Sequence, residues 1–452
     1  MTEAALFTTP EMASVFAPRA HLRAILRFEA ALARAEARAG VIPREAAEAI
    51  TAACDVDHFD VAALYAAAVD AGTLAIPIVR ALTAHVGGGD DAGRFVHWGA
   101  TSQDAIDTAL VLQMRDGLGL LEDDLLALCA GCAAHAEAHR RTVMAGRTLL
   151  QQAVPITFGL KAARWLALGT RRLRALRALR EDALALQLGG AAGTLAALGD
   201  HGLVVAGYVA EELTLPVPDL PWHAERDRVA MIAGAVGLAA GAMEKIATDI
   251  VLLAQTDVGE VDEGAATGKG GSSAMPHKHN PVDAAAALAA TRLAAGSASV
   301  ILAAAGAHQH ERAVGPWQAE WNAIPDLFRY AAGAIAHARR SVCGLEVHRD
   351  RMAANLARGG GVVMSESLAM ALAPHVGRPE AQRIVREAAD RAAAEGNTLR
   401  DAALAHEGIR AALSPATVER ALDPAAYLGS TDSFIDRALA AYRAILGRAD
   451  AG

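Results

Sequence analysis

Residues 227 to 256 read DRVAMIAGAVGLAAGAMEKIATDIVLLAQT, so that small and apolar side chains would occupy every face of a helix. Residues 282 to 306 have the same character, and a helix that is apolar all round must be covered on all sides. Besides Asp227 and Arg228 at the start, five charged residues interrupt the two stretches: Glu244, Lys245, Asp249, Asp283 and Arg292. We therefore expect other helices, including helices of other subunits, to cover them, and we do not expect membrane spans.

The composition also favours helices that pack closely on one another. Of the 452 residues, 53% are hydrophobic but only 4% are aromatic, and alanine is abundant. Such side chains suit close helix-to-helix packing better than a sheet of branched and aromatic residues. We expect an almost entirely helical protein with two or three structural units, because the chain exceeds the size at which one core usually keeps growing.

Local signals indicate where helices begin and end. Residues 21–43 place apolar and charged positions at helical spacing, and glycine and proline close that stretch. Short helices should follow to about Ala84, before a break at residues 87–91. One long helix is expected over residues 104–137. The tail from about Arg349 should be interrupted at residues 359–361 and at Pro374.

Charge and cysteine content limit the possible partners. The net charge of −9 is spread without a basic block, so neither nucleic acid nor an anionic membrane is an expected partner. The first ten residues lack the pattern of a signal peptide, which predicts a cytoplasmic protein. Cys129 and Cys132 have C-x-x-C spacing, but no second pair lies nearby, so buried thiols are favoured over metal or redox use.

A glycine-rich segment followed by a proline-bracketed one carries the strongest chemical signal. Residues 267–281 read TGKGGSSAMPHKHNP. An alkoxide on Ser272 or Ser273 could be stabilised by the backbone N–H groups of the glycine run and by the two lysines, Lys269 and Lys278. The alternative is a mobile Ser/Gly linker, but the prolines stiffen the segment and a linker has no need of Lys278 and Asn280 in such close order. A phosphate-binding loop fails on spacing.

The string GSSAMPHKHNP, residues 271–281, resembles the signature of the fumarase/aspartase superfamily, whose members add or eliminate groups next to a carboxylate. The resemblance spans most of the chain. It implies an all-α, three-domain fold with domains over 1–112, 113–348 and 349–452, the middle one a bundle of long helices. It also implies a homotetramer whose active sites gather residues from different subunits, with the bundle as its core. No cofactor and no metal are implied.

Two further segments carry candidate binding residues. The segment from His97 to Asp104, HWGATSQD, precedes the long helix, where hydroxyls cap and free amides attract anions. Ordinary capping would explain it, but it also resembles the superfamily's carboxylate-binding segment. The resemblance assigns Thr101 and Ser102 to a substrate carboxylate and His97 to proton transfer or positioning. In GRTLLQQAVP, residues 146–155, Thr148 and Gln151 match substrate-contacting positions.

Position 149 distinguishes between branches of the superfamily. Members that resemble fumarase or adenylosuccinate lyase have a histidine there for acid-base work, whereas this chain has Leu149, which cannot transfer a proton. A lyase that expels an amine or hydroxide must protonate the leaving atom, while a carboxylate leaves a lactone unaided. Leu149 therefore favours lactone chemistry.

The segments over residues 97–108 and 310–321 also resemble the branch that closes carboxylated muconates. This resemblance implies conversion of 3-carboxy-cis,cis-muconate to 4-carboxymuconolactone in protocatechuate breakdown. Leu149, His279 and Thr73 depart from the residues usual in that branch, so the exact substrate stays open.

The resemblance assigns a role to each site residue. Ser272 would transfer the proton, with Ser273 as second choice, while Lys278 balances charge and Asn280 orients the loop or the substrate. A tricarboxylate needs further cations, for which Arg312 and Lys269 are candidates. The alternatives are an adenylosuccinate-lyase-like or other superfamily lyase and a helical scaffold without catalysis.

Overall fold

The computed structural model describes residues 3–87, 92–264, 270–271, 275 and 278–449. Within these ranges the chain forms eighteen α-helices. The helices are α1 (Pro10–Val15), α2 (Pro18–Arg38), α3 (Arg44–Ala53), α4 (Val61–Ala71), α5 (Ala75–Val86), α6 (Ser102–Ala138), α7 (Phe158–Asp182), α8 (Gly202–Leu213), α9 (Asp227–Ala254), α10 (Val282–Ala305), α11 (Pro316–Cys343), α12 (Arg349–Ala357), α13 (Ser365–Val376), α14 (Arg378–Glu395), α15 (Leu399–Ala405), α16 (Glu407–Ala412), α17 (Pro415–Ala421) and α18 (Thr431–Ala449).

Four short strands form two antiparallel pairs among the described residues. The strands are β1 (Val143–Thr148), β2 (Gln151–Thr157), β3 (Val261–Asp262) and β4 (Glu346–Val347), with β1 paired to β2 and β3 to β4. The prediction of an all-α protein is confirmed. The β1–β2 hairpin is an addition that helical periodicity did not reveal.

The chain divides into two compact units. Unit 1 comprises residues 1–125, 172–244 and 286–337, and unit 2 comprises residues 126–171, 245–285 and 338–452. Five of the long helices, α6, α7, α9, α10 and α11, contribute residues to both units. The division into three consecutive domains stays a prediction.

The long helices agree with the boundaries expected from the sequence. The helix expected over 104–137 is α6, and the two charge-poor stretches form α9 and α10. The first amphipathic helix is α2, which begins with Pro18 at its first position and ends two residues before Gly40, whose φ is 76°. Close packing occurs within unit 1, where a Cβ on Gly117 of α6 would lie 2.7 Å from the Phe328 ring. The small side chains therefore allow the helices of this unit to approach closely.

One expected break is wrong. Pro374 lies inside α13, which continues to Val376 and ends before Gly377. Pro374 removes one backbone N–H from the last turn, yet the helix continues for two more residues until Gly377, with a φ of 82°, ends it. The break at residues 359–361 is confirmed, since α12 ends at Ala357 and α13 begins at Ser365. Residues 88–91 of the other predicted break lie outside the described residues.

The two cysteines with C-x-x-C spacing are buried and free. Both Cys129 and Cys132 lie on α6 within unit 2. Burial raises the pKa of Cys129 to about 12 and that of Cys132 well above its usual value. Because the thiolate is the reactive and metal-binding form, these thiols are apolar core groups, as the sequence predicted.

Candidate active site

The segment that precedes α6 in unit 1 is fixed by a buried carboxylate. Asp104 accepts hydrogen bonds from the backbone N–H of Thr101 at 2.9 Å, of Gly189 at 3.0 Å and of Gly190 at 2.9 Å. His223 Nε2 adds a fourth at 2.7 Å. A buried carboxylate needs such partners, and these ones connect the start of α6 to a loop 85 residues away in sequence.

Thr101 and Ser102 therefore stand at a well-anchored helix start. Both are half-buried, and Ser102 is the first residue of α6. The N-terminus of so long a helix presents free backbone N–H groups and a partial positive charge to any anion near these hydroxyls. The geometry agrees with the expected carboxylate binding, which stays a prediction.

His97 in unit 1 is paired with a buried glutamate on α2. The imidazole Nδ1 donates to Glu29 Oε1 at 2.7 Å. Burial by itself lowers the pKa of His97, but the charge of Glu29, the hydrogen bond to it and the charge of Asp104 outweigh burial, so the pKa is raised above its usual value. The backbone of His97 has a φ of 60°, which is uncommon for a side chain of this size. An imidazole with an uncommon backbone conformation and a raised pKa is typical of a functional position.

Arg312 lies in unit 1 against the loop that binds Asp104. Its Nη2 donates to the backbone oxygen of Ala191 at 3.0 Å, one residue beyond the two glycine amides that Asp104 accepts. The loop thus connects the candidate cation with the segment that carries Thr101 and Ser102.

A buried ionic network joins α6 to α11 inside unit 1, and the sequence did not predict it. Arg226 donates to Asp107 Oδ2 at 2.6 Å and to Glu320 Oε2 at 2.5 Å, with all three side chains almost fully buried. Trp317 Nε1 also donates to Asp107, at 2.9 Å. Burial raises the pKa of Glu320 although Arg226 opposes that shift. Trp317 is buried and packs edge to face against Trp321.

In unit 2, Thr148 and Gln151 face each other at the end of the β1–β2 hairpin. They are directly paired across the strands, so their side chains lie on the same face, and both are exposed. The structure therefore brings together two residues that the sequence assigned to substrate binding. Between them Leu149 and Leu150 form a two-residue turn with φ values of 51° and 64°. These leucines are 98% and 72% exposed.

The hairpin is held in place by the pair of residues directly behind Thr148 and Gln151. Arg147 makes two bonds to the buried Glu260, at 2.8 and 2.6 Å. Asn355 on α12 donates to the same carboxylate at 2.9 Å, and its backbone oxygen accepts from Gln152 at 2.9 Å. Paired bonds of this kind give geometric specificity, so Thr148 and Gln151 project from a fixed support.

The predicted catalytic segment is described in part. Ser272, Ser273 and Lys269 lie outside the described residues. Asn280 donates to the backbone oxygen of Gly270 through its N–H at 2.8 Å and through its side-chain amide at 3.2 Å. Gly270 has a φ of 70°, and a Cβ there would lie 2.6 Å from the oxygen of Asn280, so only glycine fits.

Neighbouring contacts in unit 2 hold the end of this segment. Gly271 and His279 form an antiparallel bridge, and the exposed Lys278 donates its backbone N–H to Met275 at 3.0 Å. The buried Glu263 accepts from the first amides of α10, Asp283 at 3.0 Å and Ala284 at 2.7 Å. Lys278 thus directly precedes the bridge residue His279, and Asn280 lies between the bridge and the capped helix.

The predicted site residues divide between the two units, and each group is described within its own unit. His97, Thr101, Ser102 and Arg312 belong to unit 1, whereas Thr148, Gln151, Lys278 and Asn280 belong to unit 2. Sequence reasoning missed Glu29, Asp104 as an anchor, Arg226 and Glu260. Buried charged residues inside helical stretches were the available signal, because such groups are rarely buried without a partner.

Known proteins are similar to this chain over most of its length. A family model described as "Lyase" matches residues 6–296, and one described as "Adenylosuccinate lyase C-terminus" matches residues 361–438. The chain belongs to the fumarase/aspartase superfamily. A relative named 3-carboxy-cis,cis-muconate cycloisomerase, from Bradyrhizobium diazoefficiens, is 48% identical over 96% of this chain and 97% of its own.

A second relative and a solved structure are also similar to this chain. A relative of the same name from Pseudomonas aeruginosa is 47% identical over 98% of this chain and 96% of its own. The crystal structure of 3-carboxy-cis,cis-muconate lactonizing enzyme from Pseudomonas putida superposes with a TM-score of 0.91 at 43% identity, covering 97% of this chain and 98% of that one. The similarity therefore extends over the whole fold.

Proposed function

We propose that this protein is a cycloisomerase that converts 3-carboxy-cis,cis-muconate to 4-carboxymuconolactone in protocatechuate breakdown. The observation that carries the proposal is nearly full-length similarity, at 47 to 48% identity, to relatives that bear the name of this activity. Leu149 supports it independently. The residue between the two candidate binding side chains of the hairpin has no proton to give, and lactone formation requires none for a leaving group.

The reaction consists of one addition across a double bond. An oxygen of one substrate carboxylate forms a bond to an alkene carbon, the double bond is lost, and the neighbouring carbon takes one proton. Negative charge that develops toward another carboxylate must be stabilised while the proton is delivered. The enzyme must therefore supply an acid, a cation and several carboxylate-binding groups.

The chain offers a candidate for each of these tasks. Ser272 transfers the proton, with Ser273 as the second choice, and Lys278 balances the charge. Asn280, whose amide holds the backbone of Gly270, orients the segment. The carboxylates are bound by a further set of residues: Thr101, Ser102, Thr148, Gln151, Arg312 and Lys269.

His97 is assigned a positioning and charge-stabilising role. Its pairing with Glu29 favours the protonated imidazole, and a cation beside a helix N-terminus suits a polycarboxylate. The protonated imidazole offers a hydrogen-bond donor that positions the substrate, while the charge of Glu29 offsets its own. No cofactor is needed for the addition.

We further propose a cytoplasmic homotetramer in which helices of different subunits pack together. The helices α9 and α10 are long and apolar enough to cross a membrane by length and composition alone. Within unit 1, however, Arg292 of α10 pairs with Glu244 of α9 at 2.6 Å, which a lipid environment would disfavour. Leu238 and Leu302 are exposed on these helices, and contact with other subunits would bury them.

A substrate comparison tests the function. The purified protein is incubated with 3-carboxy-cis,cis-muconate and separately with adenylosuccinate, and the absorbance of each is followed. We expect turnover of the first only. The adenylosuccinate alternative is favoured by the match of the C-terminal family model to residues 361–438, and turnover of adenylosuccinate alone would establish it. Turnover of neither substrate would favour a scaffold.

Two controls complete the test. Ser272→Ala should abolish turnover while the helical circular dichroism signal and the melting temperature are retained, and unchanged turnover would reject the assigned role. Sedimentation with activity measured across dilution tests the assembly, because an isolated subunit is expected to be inactive. A fully active monomer would contradict the proposed assembly.

A further inference from the structure

A cavity inside unit 1 is lined by none of the residues assigned to the reaction. Its volume is about 290 Å³. An apolar cavity of about 150 Å³ is enough to hold benzene, so this one accommodates a benzene ring with one or two substituents. All of its lining residues belong to unit 1 and are described.

Flat and apolar side chains form most of the lining. Phe16, Tyr65 and Trp321 contribute aromatic rings, and Ile106 and Leu110 contribute aliphatic groups from α6. Trp321 is held by an edge-to-face contact with Trp317, with ring centroids 4.8 Å apart. Aromatic walls that are fixed in this way favour a planar ring over a flexible chain.

A histidine at the lining provides a hydrogen-bond acceptor. His21 Nδ1 lies 2.6 Å from Gln113 Oε1, and Gln113 Nε2 donates to the backbone oxygen of Val15 at 2.7 Å. Because the amide oxygen accepts, the proton of the imidazole lies on Nδ1. Burial lowers the pKa of His21 although the bond to Gln113 opposes this, so the ring is neutral near pH 7. Nε2 then carries a lone pair and has no partner among the described residues.

The rest of the polar lining favours an anion. Arg329 uses one nitrogen for Asp326 at 3.0 Å and another for the backbone oxygen of Phe16 at 2.8 Å, which fixes the guanidinium. Asn322 adds amide donors. None of the residues that line the cavity carries a carboxylate. A ligand with a carboxylate would therefore meet amide and guanidinium donors in the lining, while Asp326, which lies outside the lining, already pairs with Arg329.

We propose that this cavity binds a single-ring aromatic carboxylic acid that also carries a hydroxyl group. The ring packs among the aromatic side chains, the carboxylate is drawn by Arg329 and Asn322, and the hydroxyl donates to His21 Nε2. Ile106 and Leu110 follow Ser102 on α6 by about 6 and 12 Å of helix rise, so the cavity lies close to the helix start, and the Ser102 variant described below distinguishes the two sites. The proposal does not depend on the reaction proposed above.

Calorimetric titration of the full-length protein with 4-hydroxybenzoate tests the proposal, and it needs no turnover. We expect saturable binding that is at least tenfold weaker for 4-hydroxybenzamide, which lacks the charge. Asn322→Asp, which places a negative charge in the lining, should weaken binding of the acid at least tenfold. Gln318→Glu makes the same charge change on the exposed side of α11, outside the lining, and should leave binding unchanged.

Two more variants make the test decisive. Tyr65→Ala removes one partly exposed aromatic wall and should weaken binding even if the aspartate variant folds poorly. Ser102→Ala should not affect binding. The proposal is overturned if no saturable binding occurs, if acid and amide bind equally, if neither cavity variant weakens binding, or if Ser102→Ala abolishes it, since the acid would then occupy the helix start.

Discussion

Glu36 on α2 provides the sharpest quantitative prediction. Its side chain is 0% exposed, and neither carboxyl oxygen has a hydrogen-bond partner among the described residues. Burial, with a smaller contribution from the charge of Glu29, raises the pKa of Glu36 from 4.5 to about 9. The carboxyl group is therefore protonated in the folded protein at neutral pH and ionised in the unfolded chain.

The sign of the pH dependence follows from proton counts. Between pH 4.5 and about 9 the folded state holds one proton that the unfolded state has released. Stability supplied by this group is thus fully present below the unfolded pKa and declines as the pH rises toward the folded pKa. Each pH unit in that window lowers the free energy of unfolding by about 1.4 kcal/mol. From pH 5.5 to 7.5 the loss is about 3 kcal/mol.

Glu36→Gln removes this titration without changing the size of the side chain. Denaturant unfolding of the wild type and the variant at several pH values between 5.5 and 8.5 measures the difference. As the pH rises, the free energy of unfolding of the variant should increase relative to that of the wild type, by about 3 kcal/mol over two pH units. Glu45→Gln changes an exposed glutamate on α3 and should follow the wild type. Parallel curves for the wild type and the Glu36 variant would refute the reasoning.

Three further outcomes are expected. Glu29→Gln should lower the pKa of His97, measured by NMR titration of its ring protons, and an unchanged pKa would show that the pair does not control the imidazole. Arg226→Met leaves two buried carboxylates unpaired and should cost about 3–5 kcal/mol in unfolding free energy, so a loss below about 1 kcal/mol would contradict the network. Replacing Leu149 and Leu150 by Asn and Gly should raise thermal stability by about 1–2 kcal/mol, because these residues accept positive φ; lower stability would mean that the leucines make compensating contacts.

The long helices were predictable because their composition alone indicates helical structure. The apolar residues of α9 and α10 permit no other regular structure at that length, and the structure places the ends within two residues of those expected. The β1–β2 hairpin escaped prediction because Leu149 and Leu150 lack the Asn-Gly signal that marks such turns. The two strands also do not alternate regularly between apolar and polar residues, so the sequence lacks the two-residue period that predicts a strand.

The candidate site could be proposed from sequence where a local string carries it. Thr148 and Gln151 were assigned from their own segment, and the hairpin pairs them, while their role in binding stays a prediction. Partners that are distant in sequence were not found. Glu29 lies 68 positions from His97, and the glycine amides that fix Asp104 lie about 85 positions away. Such contacts depend on tertiary packing, which no single-sequence pattern encodes.

The central claim is that the protein adds a carboxylate and a proton across one double bond of a carboxylated muconate. Proton NMR of the reaction of 3-carboxy-cis,cis-muconate in D₂O, with the purified enzyme, tests it most directly. The account predicts accumulation of 4-carboxymuconolactone that carries one solvent-derived deuterium on the carbon next to the newly formed C–O bond. Formation of a different product, or of a lactone without that deuterium, would contradict it.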